Sequence, residues 1–363
     1  MREFTVAETI RRSGLAVMAT LGPASATRQA LRALLASGAT AFRINLAHAR
    51  AEWLDGVLEA ISQVEAETGW PHLGVADLPG RKPRTGALPV PVPVAPGDRI
   101  WLGQGLPPQP GNLVLPLRGE LADLDVPPGQ VIQLRDGRLR LELRQQVTGG
   151  FLCEALTAGE ATSRMGVVFA CGIRVERPFP TESFERCLAG GIRRFLQSYC
   201  DRPEDLGPAL AAARRLDVTD AEVIPKLETR EALRNAPGIL SRAPLACLAR
   251  GDLGTQIPLE RVPGVELRLL ELAAGCGARV LVAGDVMPAT LPAGEASRPE
   301  RAAAYYALAH GAAGFILSDE TALGNQAASA VRQLSRVIET WLEDKEAGPR
   351  SPLLATEVES GAD

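Results

Sequence analysis

A segment with helical periodicity that ends in glycine, followed by a short apolar run, recurs along this chain. The junction stands at Ala36-Ser37-Gly38-Ala39, Ala189-Gly190-Gly191, Ala274-Gly275-Cys276-Gly277 and Ala309-His310-Gly311. Glycine just past the last turn closes a helix, and a brief apolar run is the pattern of a strand buried on both faces. Eight such strands can be read, over 15–20, 41–45, 73–77, 194–199, 223–227, 246–249, 280–283 and 315–318. Helical patterns lie between most of them, among them 27–36, 265–274 and 299–309. Alternating units of this kind predict an α/β protein, a (β/α)8 TIM barrel. A doubly wound open sheet is the alternative, and the number of units favours closure.

One connection is far too long. Between Asp77 and Thr181 the chain passes through Pro89-Val90-Pro91-Val92-Pro93-Val94, a stiff extended entry, and then through alternating runs such as Val131-Ile132-Gln133-Leu134 and Leu139-Arg140-Leu141-Glu142-Leu143. Turn signals at Pro127-Pro128-Gly129 and Asp136-Gly137 separate them. A structureless loop of this length is rare, so the segment reads as a small antiparallel β-domain inserted after the third strand. An insertion there overhangs the end of a barrel where active sites form, and can act as a lid. The expected organisation is barrel over 1–86, inserted lid over 87–173, barrel again over 174–345, and a disordered polar tail over 346–363.

The stretch 223–254 carries the strongest chemical signal. Lys226 and Glu228 stand two apart at the end of a predicted strand and share a face. The next strand stops at Arg250-Gly251-Asp252, where Gly251 permits close backbone approach and Asp252 adds a second carboxylate. Two carboxylates and a lysine at neighbouring strand ends suit a hard divalent cation and a phosphorylated or carboxylated substrate. Surface salt bridges at loop starts would give the same residues. Composition bears on the choice: of 39 basic residues only Lys82, Lys226 and Lys345 are lysine. Where arginine serves nearly everywhere else, a retained lysine points to a need for a compact ammonium. Lys345 lies in the polar tail, whereas Lys82 and Lys226 fall beside carboxylates at strand ends.

Other classes find no support. The net charge is −4 and no basic run grips a phosphate backbone, which argues against nucleic acid. No apolar run approaches a membrane span and the N-terminus is not a secretory signal. The six cysteines are scattered without a C-x-x-C pair and the three histidines lack zinc-like spacing, so reduced, structural cysteines in a cytoplasmic protein are expected.

Several stretches together resemble the pyruvate kinase family. Ala19-Thr20-Leu21-Gly22-Pro23-Ala24-Ser25 is similar to its T-I-G-P-A-S turn, Arg43-Ile44-Asn45-Leu46-Ala47-His48 to its R-x-N-x-S-H, and the run 77–86 to its D-x-x-G-P-x-I-R-T-G. Arg135-Asp136-Gly137, the run 163–167, Lys226-Leu227-Glu228, the run 249–254 and the run 317–324 follow in the family's order, so the resemblance covers about 14–343. It implies roles residue by residue. Arg43 and Lys226 would stabilise the phosphoryl group in flight, with Arg84 facing phosphate. Glu228 and Asp252 would hold Mg2+ or Mn2+, backbone around Gly251 and Asp252 would receive the substrate carboxylate, and Asn45 and Asp77 match ligands of a monovalent cation. Read without the resemblance, Arg43 and Arg84 could be surface arginines, and Asn45 and Asp77 could cap the next helix.

Departures from the family pattern sharpen the expectation. The serine of R-x-N-x-S-H is Ala47, the lid lysine is Met165, and the threonine at the end of the seventh strand is Gly284, followed by the new charge of Asp285. The hydroxyls that help hold potassium are replaced by Ala47 and Leu78, while Lys82 stands where potassium-dependent members carry glutamate. Leucine and lysine at these two positions resemble potassium-independent members, in which a tethered ammonium would replace the ion. The resemblance therefore implies a magnesium-dependent phosphotransferase converting phosphoenolpyruvate and ADP to pyruvate and ATP, with no potassium requirement. Gly284 and Asp285 motivate a metal-dependent lyase or decarboxylase on a 2-oxo acid as the alternative. The lost side chains motivate a weakened regulator that binds phosphoenolpyruvate or nucleotide. The family's C-terminal regulatory domain has no counterpart in the sequence, so no response to fructose 1,6-bisphosphate is expected. Small-molecule partners are implied, and a homo-oligomer stays open.

Overall fold

The computed structural model of the protein describes residues 4–47, 49–80, 82–108, 110–118, 126–134, 137–169, 179–323 and 325–347. His48, the Arg135-Asp136 part of its motif, Gly324 and the last part of the expected tail, 348–363, lie outside them. The barrel strands are β1 (Ala16–Thr20), β2 (Ala41–Asn45), β3 (Gly74–Leu78), β4 (Arg194–Gln197), β5 (Glu222–Leu227), β6 (Leu245–Ala249), β7 (Arg279–Ala283) and β8 (Ala312–Leu317). They close a barrel in chain order, each parallel to its neighbours, with β8 pairing back onto β1. The closed barrel is the predicted one; β2 has the predicted bounds, and the other strand ends lie within three residues of the sequence reading.

Two layers of core follow from strand alternation. Met18, Val75, Leu196, Ile224, Cys247, Leu281 and Ile316 fill the barrel interior. The alternate positions, such as Val17, Phe42, Phe195, Leu248 and Phe315, pack outward beneath the helices. The helices are closed at their starts by side chains: Thr27 caps the helix Arg28–Ala36, and Ser297 with Glu300 forms a reciprocal capping box on Arg298–Ala309. The last helix runs Ala327–Ala347, so it takes in Lys345 and two residues of the expected tail. The Lys345 ammonium lies 4.9 Å from the Trp341 ring centroid. No helix among the described residues is long and apolar enough to cross a membrane.

After β3 the chain leaves the barrel and builds a separate seven-stranded sheet that begins with Arg84–Thr85 and ends with Val167–Phe169. Its ladders are antiparallel, except that Arg99–Gly103 runs parallel to Leu113–Arg118. A further antiparallel pair joins Val92–Val94, from the proline-rich entry, to Gly159–Ala161. Leu102, Leu115, Ile132, Leu141, Phe151 and Phe169 make the insert's own core. The insert meets the barrel where Gln133 donates to the Thr255 carbonyl at 3.0 Å and where Gly166 packs on Lys82.

Candidate active site

Strand alternation explains how the site is built. Interior positions Ala41, Val75, Leu196 and Ile224 are apolar, and the next residues on the same face are Arg43, Asp77, Ser198 and Lys226. One step further along this face stand Asn45 and Glu228. The floor of the site is thus the apolar barrel core, and its walls are the polar ends of the same side-chain rows.

Arg43, Asn45, Asp77, Lys82, Arg84, Lys226, Glu228 and Asp252 line one cavity of about 100 Å3, together with Ser198 and Tyr199. Every sequence-predicted site residue is therefore brought together except Gly251, which does not line it. Gly251 lies in the short helix Arg250–Gln256, and a Cβ there would meet nothing within 4 Å. A larger cavity, about 530 Å3, opens beside Leu259, Val262, Tyr306, Gly284 and Asp285. Arg250, Glu266 and Asp285 also line it, but none of the site residues predicted from the sequence does.

The charges are arranged as a linked set. Arg43 donates from Nε to Asp77 Oδ2 at 2.7 Å, its Nη2 lies 2.6 Å from the same oxygen, and Nη1 reaches Thr20 Oγ1 at 3.0 Å. The Lys226 ammonium lies 3.4 Å from Asp77 Oδ2 and 3.3 Å from Glu228 Oε2, and donates to Ser198 Oγ at 2.9 Å. Ser198 in turn donates to Asp77 Oδ1 at 2.9 Å. Glu228 Oε1 accepts the Tyr199 N–H at 2.7 Å, while its buried Oε2 has no hydrogen-bond partner among the described residues. Lys82 crosses from the β3 loop to form an ion pair with Asp252. Asn45 accepts the Ala47 N–H at 3.1 Å, and Arg84 donates to the Arg164 carbonyl at 3.0 Å.

Burial and charge set the protonation states against each other. Burial pushes Asp77 up, but Lys226 and Arg43 pull harder and leave it below the usual carboxylate range. Burial likewise opposes the Lys226 ammonium, yet Asp77 and then Glu228 hold it well above the ordinary lysine range. Glu228 goes the other way: burial, reinforced by Asp252 and Asp77, outweighs Lys226 and lifts its carboxyl to about 7. Desolvation pushes the partly buried Asp252 up, but Lys82 keeps it below the usual range.

Two sequence readings change in detail. Met165 does not face the cavity; it is buried in the insert core, where its sulfur accepts the Thr162 N–H. Gly284 has φ +88° and Asp285 φ +48°, and a Cβ on Gly284 would fall 2.7 Å from the Gly251 nitrogen. The backbone at the end of β7 has thus taken the space of a side chain. Ser198 and Tyr199 escaped the sequence reading, although Ser198 follows interior Leu196 by two, the spacing that identified Lys226 and Glu228.

With this geometry in place, the comparisons with known proteins are decisive. The sequence model of the pyruvate kinase barrel domain matches residues 11–331. The chain belongs to the pyruvate kinase family. It is 31% identical over 336 residues to a pyruvate kinase of Methylorubrum extorquens, covering 89% of this chain and 67% of that one. A pyruvate kinase of Agrobacterium vitis is 30% identical across 92% of this chain and 69% of its own length. Pyruvate kinase 2 of a Synechocystis strain is 27% identical across 92% of this chain, which spans only 57% of that relative.

Proposed function

We propose that this chain transfers a phosphoryl group between phosphoenolpyruvate and ADP, giving pyruvate and ATP, with Mg2+ or Mn2+ and without potassium. The observation that carries this reading is the meeting of two cations, Arg43 and Lys226, with two carboxylates, Glu228 and Asp252, in one cavity at the barrel's C-terminal end. Phosphoryl transfer asks a protein for positioning and neutralisation of oxygen charge more than for covalent chemistry. Lys226 and Arg43 are held cationic by Asp77 and would face the phosphoryl oxygens, with Arg84 at the lid side.

Glu228 and Asp252 fit a hard divalent ion. Glu228 Oε2 is buried without a hydrogen bond among the described residues, and Asp252 shares its cavity. No group of three or more His, Cys, Asp or Glu side chains among the described residues is placed to hold a metal. Magnesium commonly takes one or two carboxylates and completes its shell with water and substrate oxygens. Bound there, the ion would supply charge neutralisation to the transferring group. Glu228 would give up the proton that burial encourages. Glu228→Gln should weaken metal affinity about tenfold or more with the fold intact. Calorimetric titration with substrate present checks this, and an unchanged titration would sink the assignment.

Lys82 brings the proposed substitute for potassium into the same cavity as Asn45 and Asp77, the two remaining positions of the ion's ligand set. The lyase alternative loses ground because neither Gly284 nor Asp285 lines this cavity, so the departures at β7 add no group to it. Five cysteines, at 153, 187, 200, 247 and 276, are free thiols, which fits a reducing compartment, and we place the activity in the cytoplasm. A lactate-dehydrogenase-coupled assay tests the reading. ADP-dependent pyruvate formation from phosphoenolpyruvate is expected. Pyruvate released from oxaloacetate without ADP would replace this reading by the lyase, and ligand binding with neither activity would replace it by the regulator.

A further inference from the structure

Ser198 and Tyr199 follow directly after β4, and each binds one of the charged groups at the end of β5. A lysine ammonium has three hydrogens to donate. Around Lys226 three acceptors stand at 2.9 Å (Ser198 Oγ), 3.3 Å (Glu228 Oε2) and 3.4 Å (Asp77 Oδ2). Only the first has the length of a well-formed N–H···O bond, which falls at about 2.7–3.2 Å. The direction of the serine bonds is fixed as well. Its single proton goes to Asp77 Oδ1, a carboxylate held ionised by Lys226 and Arg43, so its lone pair faces the ammonium.

The turn that places Ser198 is itself constrained. Tyr199 has φ +55°, a left-handed conformation that a bulky aromatic residue seldom adopts. This conformation accompanies a Tyr199 N–H donated to Glu228 Oε1. Behind it, Gly80 lies so close that a Cβ there would stand 2.7 Å from the Ser198 carbonyl oxygen. One turn thus holds Lys226 through a hydroxyl and Glu228 through an amide.

We propose that Ser198 is the positioning residue for Lys226. It keeps the ammonium on a short neutral hydrogen bond, while the two long ion-pair contacts are the ones exchanged for a phosphoryl oxygen when substrate enters. A neutral anchor suits the task. It fixes the nitrogen without adding negative charge beside an incoming anion, as a third carboxylate would. The inference rests on the reading of Lys226 as the phosphoryl-facing cation, and extends it to a residue that acts through that lysine.

The scarcity of lysine makes the test direct. With lysine labelled at 13Cε and 15Nζ, the chain has only Lys82, Lys226 and Lys345 to report. In Ser198→Ala the Lys226 signal should shift and its ammonium hydrogens should exchange faster, with Lys82 and Lys345 unmoved. The turnover number should fall about tenfold while KM for phosphoenolpyruvate stays within about twofold. Ser198→Thr, which keeps the hydroxyl, should recover most of the loss. Should the alanine variant not fold, Ser198→Cys keeps the volume, weakens the hydrogen bonds and must move the Lys226 signal the same way. An unmoved Lys226 signal overturns the proposal, whether or not turnover falls, because Ser198 would then be serving the fold alone. If the unmutated chain turns nothing over, the phosphotransferase reading fails, and the lysine signals still decide whether Ser198 holds Lys226.

Discussion

At the end of β5, Lys226 and Glu228 enter the cavity as side chains, Lys226 held by other side chains and Glu228 by Lys226 and the Tyr199 amide. At the end of β7, Gly284 and Asp285 contribute backbone fixed from both sides. There the Gly284 carbonyl accepts from Arg250 Nε and Nη2 at 3.0 and 2.7 Å, and the Asp285 carbonyl accepts from Nη2 at 3.1 Å. On the other side the Val286 and Met287 amides both reach Glu320 Oε1 at 3.0 Å. The difference is one of tolerance. The β5 side cannot lose a charge without stranding its buried partners. The β7 side cannot gain a side chain without displacing the backbone of Gly251.

The largest effect should come from the β5 side. Lys226→Met should lower the turnover number on the order of 1,000-fold, with a much smaller rise in KM, because its contact strengthens as charge develops in transfer. Steady-state kinetics with phosphoenolpyruvate varied checks it. A variant that only binds substrate more weakly would make Lys226 a binding residue, and the comparison with β7 would lose its catalytic half.

Next in size is stability. Asp77→Asn should cost about 3 kcal/mol at neutral pH, since Arg43 and Lys226 lose a buried counter-charge. The pH dependence has a definite sign. Asp77 is depressed below its ordinary range, so its contribution is fully present above the unfolded-state pKa and is lost as pH falls through the folded one. The gap between unmutated and variant protein in denaturant titrations should therefore narrow on acidification below about pH 4. A gap that widens in acid would contradict the sign.

A smaller effect should come from the β7 side. Gly284→Thr should destabilise the protein by about 1–3 kcal/mol, through the left-handed φ and the contact with Gly251, and should not raise activity. Thermal melts and the coupled assay read both. A gain in turnover would mean that the loop yields, and that the two strand ends differ less than their geometry implies.

Smallest is an expected equality. Activity should be the same in sodium, potassium and tetramethylammonium salts at matched ionic strength, while Lys82→Glu lowers it sharply. A several-fold stimulation of the unmutated protein by potassium would show that Lys82 does not replace the ion.

The sequence by itself determined the barrel and most of the site's membership. Strand periodicity is local, so Arg43 with Asn45 and Lys226 with Glu228 could be put on shared faces before any fold was known. Helix-ending glycines and short apolar runs gave the order of the units for the same reason. The same rule pointed to Ser198, two residues beyond Leu196, but a serine draws attention only when its partners are known. Those partners were the work of tertiary structure. Lys82 meets Asp252 170 residues away, and Asp77 is shared by Arg43, Lys226 and Ser198 from three other strand ends. Met165 turned into the insert core, and the backbone at Gly284 closed against Gly251. Closure of the barrel brings distant strand ends within a few ångströms, and burial there decides which charges pair and which carboxyl, Glu228, is lifted to about 7. Neither distance across a closed barrel nor desolvation is written in local spacing, and both had to wait for the fold.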